Sequence, residues 1–179
     1  MTKLINRGIL ALVFGAVLVA GSTPAKDASL TDKVRHELNM LPYYGVFDAI
    51  TYTVNGNAVT LGGAVHYPVL ASDAASVVKN IPGVGSVSNQ IEVLPLSRFD
   101  DQIRLAAWRT VYSWPKMSRV STMPLPPVRI LVKNGDITLV GMVPSQADKD
   151  ALNIRVNGIP NVFSVKNELV VENPQAHKS

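Results

Sequence analysis

Three histidines, His36, His66 and His177, are the side chains with which this sequence could most readily bind a metal or move a proton near neutral pH. None belongs to a helical pair or lies beside a carboxylate at metal-ligand spacing. The sequence contains no cysteine, so it offers neither a thiol nucleophile nor a thiolate metal site. It has no Gly-x-Ser-x-Gly elbow, phosphate loop or dinucleotide fingerprint. Asp100-Asp101 is an adjacent acidic pair, but negative charge also suits the first turn of a helix. The expectation is a protein with no catalysis, no metal, no cofactor and no small-molecule substrate.

What remains is surface chemistry, and charge is distributed unevenly. From Lys26 to Pro95 there are four basic and six acidic residues, against eleven and seven from Leu96 to Ser179. Between Gln102 and Gly135 lie Arg104, Arg109, Lys116, Arg119, Arg129 and Lys133 with no acidic residue among them. Such a block is either a solvated face or a contact with something anionic.

The elements that would carry these groups come from a duplication. Shifted by 78 residues, Val59-Thr60-Leu61 falls on Ile137-Thr138-Leu139, Gly63 on Gly141 and Val65 on Val143. Ile81-Pro82-Gly83-Val84 falls on Ile159-Pro160-Asn161-Val162, Asn89 on Asn167 and Val93 on Val171. The register holds without a gap from Thr60 to Val93, so the chain contains one unit twice.

Each copy reads as helix, strand, strand, helix, strand. In the first, Leu30, Val34, Leu38 and Leu41 recur at helical spacing behind Ser29 or Thr31 as a cap, and Pro42 stops the helix. Strands around Phe47–Val54 and Ala58–Val65 join at Asn55-Gly56, a dipeptide suited to a tight hairpin. A helix from Pro68 carries Leu70, Ala74, Val77, Val78 and Ile81 on one side, and Pro82-Gly83 ends it. In the last strand Val87, Asn89, Ile91 and Val93 share the inner phase. The second copy has Asn134-Gly135 at its hairpin, and Ser145 with Asp148 as a capping pair. The fold class is therefore α+β: two tandem α-β-β-α-β modules, each with two helices on one face of a three-stranded mixed sheet. The expected divisions are a signal peptide over 1–25, modules over 26–95 and 96–173 with a Pro-rich insertion near 115–128, and a polar tail over 174–179.

Asn89 and Asn167 are amides in an apolar phase and need partners, either backbone of a neighbouring loop or a ligand. Gly63 and Gly141 end the second strands, where glycine permits a close backbone approach. The first helices of the copies differ most. With side chains at roughly 100° intervals, Phe99, Ile103, Ala107 and Val111 face inward. Leu105, Trp108 and Tyr112 then project outward, flanked by Arg104 and Arg109, with Trp114, Lys116 and Arg119 following. In the first copy the positions of Leu105 and Trp108 hold His36 and Asn39. Aromatic rings with polar tips beside basic groups suit a surface of anionic head groups. The alternatives are packing against the first module or the insertion, and contact with another partner.

Gly at the end of the second strand, followed by a helix and Ile-Pro-Gly-Val-x-x-Val-x-Asn-x-Ile-x-Val, resembles the BON domain family. Gly63 and Ile81–Val93 carry the pattern, and Gly141 and Ile159–Val171 carry it again over most of the chain. Two such units behind a signal peptide are similar to osmotically inducible periplasmic proteins. The resemblance implies an envelope location, no catalysis, and phospholipid binding or membrane support under osmotic stress. The second copy departs from it at Met123-Pro124-Leu125-Pro126-Pro127 and at Asn161.

Lys3 and Arg7 precede an apolar run from Ile9 to Ala20, and Thr23-Pro24-Ala25 fits a cleavage site, with Val19-Ala20-Gly21 as an alternative. The run is shorter than the roughly 20 residues that span a bilayer core, so a cleaved signal is expected rather than a retained anchor. No Cys follows the run, so no lipid anchor is expected. The resulting expectation is a periplasmic protein bound peripherally to anionic phospholipid, or alternatively a protein-interaction adaptor for an envelope complex, with no nucleic-acid partner.

Overall fold

A computed structural model describes residues 24–172; the signal-peptide reading and the polar tail lie outside the described residues. Two sheets are present, each covered by helices, in an α+β fold. The first unit runs α1 (Pro24–Asn39), β1 (Ala49–Asn55), β2 (Ala58–Val65), α2 (Pro68–Lys79), β3 (Ser86–Asn89) and β4 (Glu92–Val93). The second runs α3 (Arg98–Tyr112), α4 (Pro115–Ser118), β5 (Val128–Lys133), β6 (Asp136–Val143), α5 (Gln146–Asn157) and β7 (Ser164–Val171).

Both sheets share one topology. β1 pairs antiparallel with β2, and β2 pairs parallel with β3 and β4. β5 pairs antiparallel with β6, which pairs parallel with β7. The parallel crossovers are made by α2 and α5, whose starts follow local chemistry. Pro68 opens α2, where its missing N–H is not needed. Ser145 caps α5 by accepting from the Asp148 N–H, and its hydroxyl donates to the Asp148 carboxylate. Apolar positions at helical spacing then meet the alternating strands. Val34 and Leu38 close on Leu61, Val65, Leu70 and Val78 in one core; Ile103, Ala107 and Val111 close on Ile130, Leu139, Leu152 and Val156 in the other. Leu61 and Leu139 are both fully buried, so truncating either to Ala costs about 2–5 kcal/mol.

Several local expectations are corrected. The helical stretch of α1 begins at Pro24, so Ser29 and Thr31 lie inside it rather than capping it. The first hairpin turns at Gly56-Asn57, because Asn55 is paired with Ala58. Gly56 has φ 61°, while Asn134 and Gly135 in the second hairpin have φ 53° and 85°. The two loops are in register under the 78-residue shift, with Gly leading one and Asn the other. The last strand of the first unit is interrupted between Asn89 and Glu92. Val93 is exposed and Leu94 buried, the reverse of the expected phase.

Candidate functional site: the outer face of α3 and the junction of the two units

Helix α3 is capped by Ser97, whose hydroxyl accepts from the Asp100 N–H. Ile103, Ala107 and Val111 face the core, as their spacing requires. Phe99, expected with them, is 40% exposed and lies 6.1 Å from Phe163. The opposite side is narrower than the sequence suggested. Leu105 and Trp108 are 45% and 37% exposed, and Arg109 is exposed.

Arg104 and Tyr112 do not belong to that outer face, being 2% and 4% exposed. The Tyr112 hydroxyl donates to the Val128 carbonyl at 2.5 Å, and burial pushes its pKa up to about 12. Arg104 donates to Asp101 at 2.6 Å and to the Val132 carbonyl at 2.9 Å. Two-residue hairpins place the closing pair in a hydrogen-bonded site, so Val128, Ile130 and Val132 turn their peptide groups away from β6. Tyr112 and Arg104 thus reach past the core to the open edge of β5. Between them the Ile130 N–H donates to the Val46 carbonyl of the first unit at 2.9 Å. The edge of the second sheet is therefore finished by two side chains of α3 and one backbone group from the other unit.

The loop that supplies Val46 is held by Asp48, which is buried and accepts from the Gly45 and His66 N–H groups. Burial pushes the Asp48 carboxyl up, against those two bonds. Val46 and Phe47 pack on the second core, and Arg129 donates to the Gly45 carbonyl while lying over the Tyr44 ring. Lys133 pairs with Glu92 across the same junction. Where the units meet, Tyr43, Phe47, His66, Tyr67, Asp101 and Leu105 help to line a cleft of about 460 Å³. His66 sits 4.0 Å from Asp101 with its Nδ1 lacking a hydrogen bond among the described residues. Burial lowers its pKa, and Arg104 lowers it further.

Four residues of the basic block are engaged within the protein, Arg104 buried and the exposed Lys116 and Lys133 in ion pairs. Arg104, Arg129, Lys133 and Lys116 all have partners, the last through Asp148, whose carboxyl Lys116 and Ser145 hold below its usual range. Among the described residues, Arg109 and Arg119 alone of the six form no ion pair or ring contact. Trp114 is half-buried beneath Lys116 and Arg155, at 5.4 and 5.2 Å from the ring. Sequence reasoning missed Tyr43 and Tyr67, which are 80% and 49% exposed and share the cleft with Leu105. A left-handed φ of 64° turns Tyr43 outward, and nothing in the helix pattern announces it.

The repeated glycines and asparagines have matching geometry in the two sheets. A Cβ on Gly63 or Gly141 would stand 2.0 Å from the carbonyl of Ala49 or Pro127, and both have positive φ. Asn89 donates to the Ala71 carbonyl and accepts from the Ile91 N–H; Asn167 does the same with Lys149 and Leu169. The donor bond goes to a carbonyl of the crossover helix, so each amide ties strand to helix.

This doubled geometry coincides with a family model described as the BON domain, which matches residues 26–95 and 121–173. The chain belongs to the BON domain family. The match leaves out 96–120, so α3 and every candidate surface residue from Arg104 to Arg119 lie outside it. The chain is similar to outer membrane lipoprotein DolP of Haemophilus influenzae, 25% identical over 173 residues, covering 89% of this chain and 88% of that protein. It is likewise similar to osmotically-inducible protein Y of Escherichia coli, 26% identical over 198 residues, covering 94% and 98%. A solved structure of CdsD, a structural protein of the type III secretion system of Chlamydia trachomatis, overlaps loosely, with a TM-score of 0.31 and 14% identity over 83% of this chain and 95% of that one. Among the described residues of this BON chain no helix is long and apolar enough to cross a membrane.

Proposed function

We propose that this chain is a non-enzymatic protein of the periplasm that binds anionic phospholipid surfaces peripherally and supports the envelope under osmotic stress. The observation that carries the reading is the exposure of Leu105 and Trp108 beside Arg109 on a helix whose other sides are committed to the core and to the edge of β5. Tyr43 and Tyr67 extend the apolar surface across the junction, and exposed apolar groups gathered in one place mark a contact surface. The names of the two BON relatives, an outer membrane lipoprotein and an osmotically inducible protein, support the location.

Because four of the six basic residues are already engaged, attraction to anionic lipid rests on Arg109 and Arg119, each worth on the order of 1 kcal/mol near such a surface. Insertion of Leu105 and Trp108 carries the larger part, so moderate salt weakens binding only partly. Co-sedimentation with liposomes of graded phosphatidylglycerol content tests this. Leu105→Ala with Trp108→Ala abolishes binding at every composition, and Arg109→Glu with Arg119→Glu removes only the dependence on anionic lipid. Wild-type protein that ignores liposomes but recovers one defined envelope protein through the same residues would establish the adaptor reading instead.

A further inference from the structure

The two sheets treat their first strands differently. β5 is capped at its outer edge by Tyr112, Arg104 and Val46. β1 is its counterpart, and by the hairpin register the peptide groups of Ile50, Tyr52 and Val54 point away from β2. Among the described residues only the Ile50 N–H has a partner there, the Tyr44 hydroxyl at 3.1 Å. The residue matching Arg104 is Arg35, but Arg35 donates to the Tyr52 hydroxyl and to Asp32 instead of to the carbonyl of Val54. The residue matching Tyr112 is Tyr43, which points to solvent. Neither equivalent cap is in place, and among the described residues the outward groups of Tyr52 and Val54 have no partner.

The strand Ala-Ile-Thr-Tyr-Thr-Val-Asn carries no charge, proline or glycine, the features by which natural proteins discourage pairing at an edge. It is also self-complementary. A two-fold axis through Thr53 sets Tyr52 opposite Val54 of a second copy, and Val54 opposite Tyr52. The four outward donors and acceptors then become four hydrogen bonds with none left over. Thr53 faces its own equivalent in a non-hydrogen-bonded site, where its exposed side chain is free to meet it.

We infer that the open edge of β1 is a self-association site at which two copies of this chain pair antiparallel through Tyr52–Val54, joining their first sheets into one. This goes beyond membrane binding and does not depend on it. With only two residues of each strand engaged, the dimer is reversible and fast to exchange. The axis makes the interface isologous, so association stops at two.

Sedimentation velocity of the purified protein over a concentration series is the first test, and a monomer–dimer equilibrium is the expected result. Thr53→Lys and Thr53→Glu each place like charges across the axis and raise the dissociation constant by about tenfold or more. Mixing the two variants restores a dimer. Because the chain has no cysteine, Thr53→Cys gives a single thiol that oxidises to a covalent dimer, whereas Ser72→Cys on the exposed side of α2 does not. Circular dichroism checks that each variant is folded. A protein that stays monomeric to its solubility limit, charge variants that dimerise as wild type does or fail to rescue each other, or equal cross-linking of the two cysteine variants, overturns the inference.

Discussion

Replacing Tyr112 by Phe separates a structural role from a membrane role in one substitution. The ring stays and fills the same space in the core, but the Val128 carbonyl loses the Tyr112 hydroxyl as its donor. A buried acceptor left without a partner costs about 1–2 kcal/mol. For a cooperative unit of this size that lowers the Tm by roughly 2–8 °C. The second signature is the pH dependence. The hydroxyl is protonated in the folded state up to about 12, against 10.0 for an ordinary tyrosine. A raised pKa contributes stability that is fully present below pH 10 and disappears as pH climbs through the folded value. The stability difference between wild type and Tyr112→Phe is therefore constant from pH 7 to 9, shrinks above pH 10 and, because two pKa units are worth about 2.7 kcal/mol, closes and changes sign before pH 12. Urea unfolding followed by circular dichroism at each pH measures the difference, and the other alkaline titrations cancel because both proteins share them. Liposome binding of the variant stays at the wild-type level. Equal stability at pH 8, a gap that does not change up to pH 12, or a loss of lipid binding without loss of stability would refute the assignment of Tyr112 to the edge of β5.

Other outcomes follow from the same geometry. Gly141→Ala brings a Cβ within 2.0 Å of the Pro127 carbonyl at a φ of 120° and destabilises the second sheet by more than about 2 kcal/mol in thermal melts; Gly63→Ala does the same in the first. Asn167→Leu leaves the Lys149 carbonyl and the Leu169 N–H without their side-chain partner and lowers stability by about 1–3 kcal/mol, which hydrogen exchange at Leu169 reports directly. His66 has a lowered pKa, so its share of stability is present above pH 6.5 and is lost as pH falls through the folded value. His66→Gln accordingly flattens the stability profile below pH 6.5, and an unchanged acid limb would remove His66 from the cause.

The duplicated architecture was legible because inward faces repeat: the apolar phases of β2 and β6 and the glycine and asparagine landmarks are spaced alike in both copies. The outer face of α3 was only half legible. A helical wheel divides a helix into a core side and a solvent side, whereas α3 has a third sector facing the edge of β5. Arg104 and Tyr112 are long enough to bury their stems and place polar tips on backbone carbonyls there, and their residue types look the same in either role. The loop around Val46 escaped for another reason. Its bond to Ile130 joins residues 84 positions apart, its packing on the second core is also remote in sequence, and no local period encodes either. The shifted first hairpin is a smaller case, in which Asn-Gly chemistry pointed to one dipeptide while the pairing register selected the next.

The bridge from Val46 to Ile130 also bears on how this tandem could change through evolution. Duplication normally yields parts that can be reshuffled, lost or multiplied. Here the downstream copy takes a carbonyl, a loop and two apolar side chains from its upstream neighbour, and the upstream loop in turn takes the Arg129 guanidinium on its Gly45 carbonyl. The dependence runs both ways along the chain. The leading unit inherited alone would leave the Gly45 carbonyl without its Arg129 donor, and the trailing unit cut from its predecessor would leave the Ile130 N–H unpaired and expose part of its core. Order and copy number are thereby locked together, and a third unit would be accommodated only if the second first acquired a loop able to make the same loan.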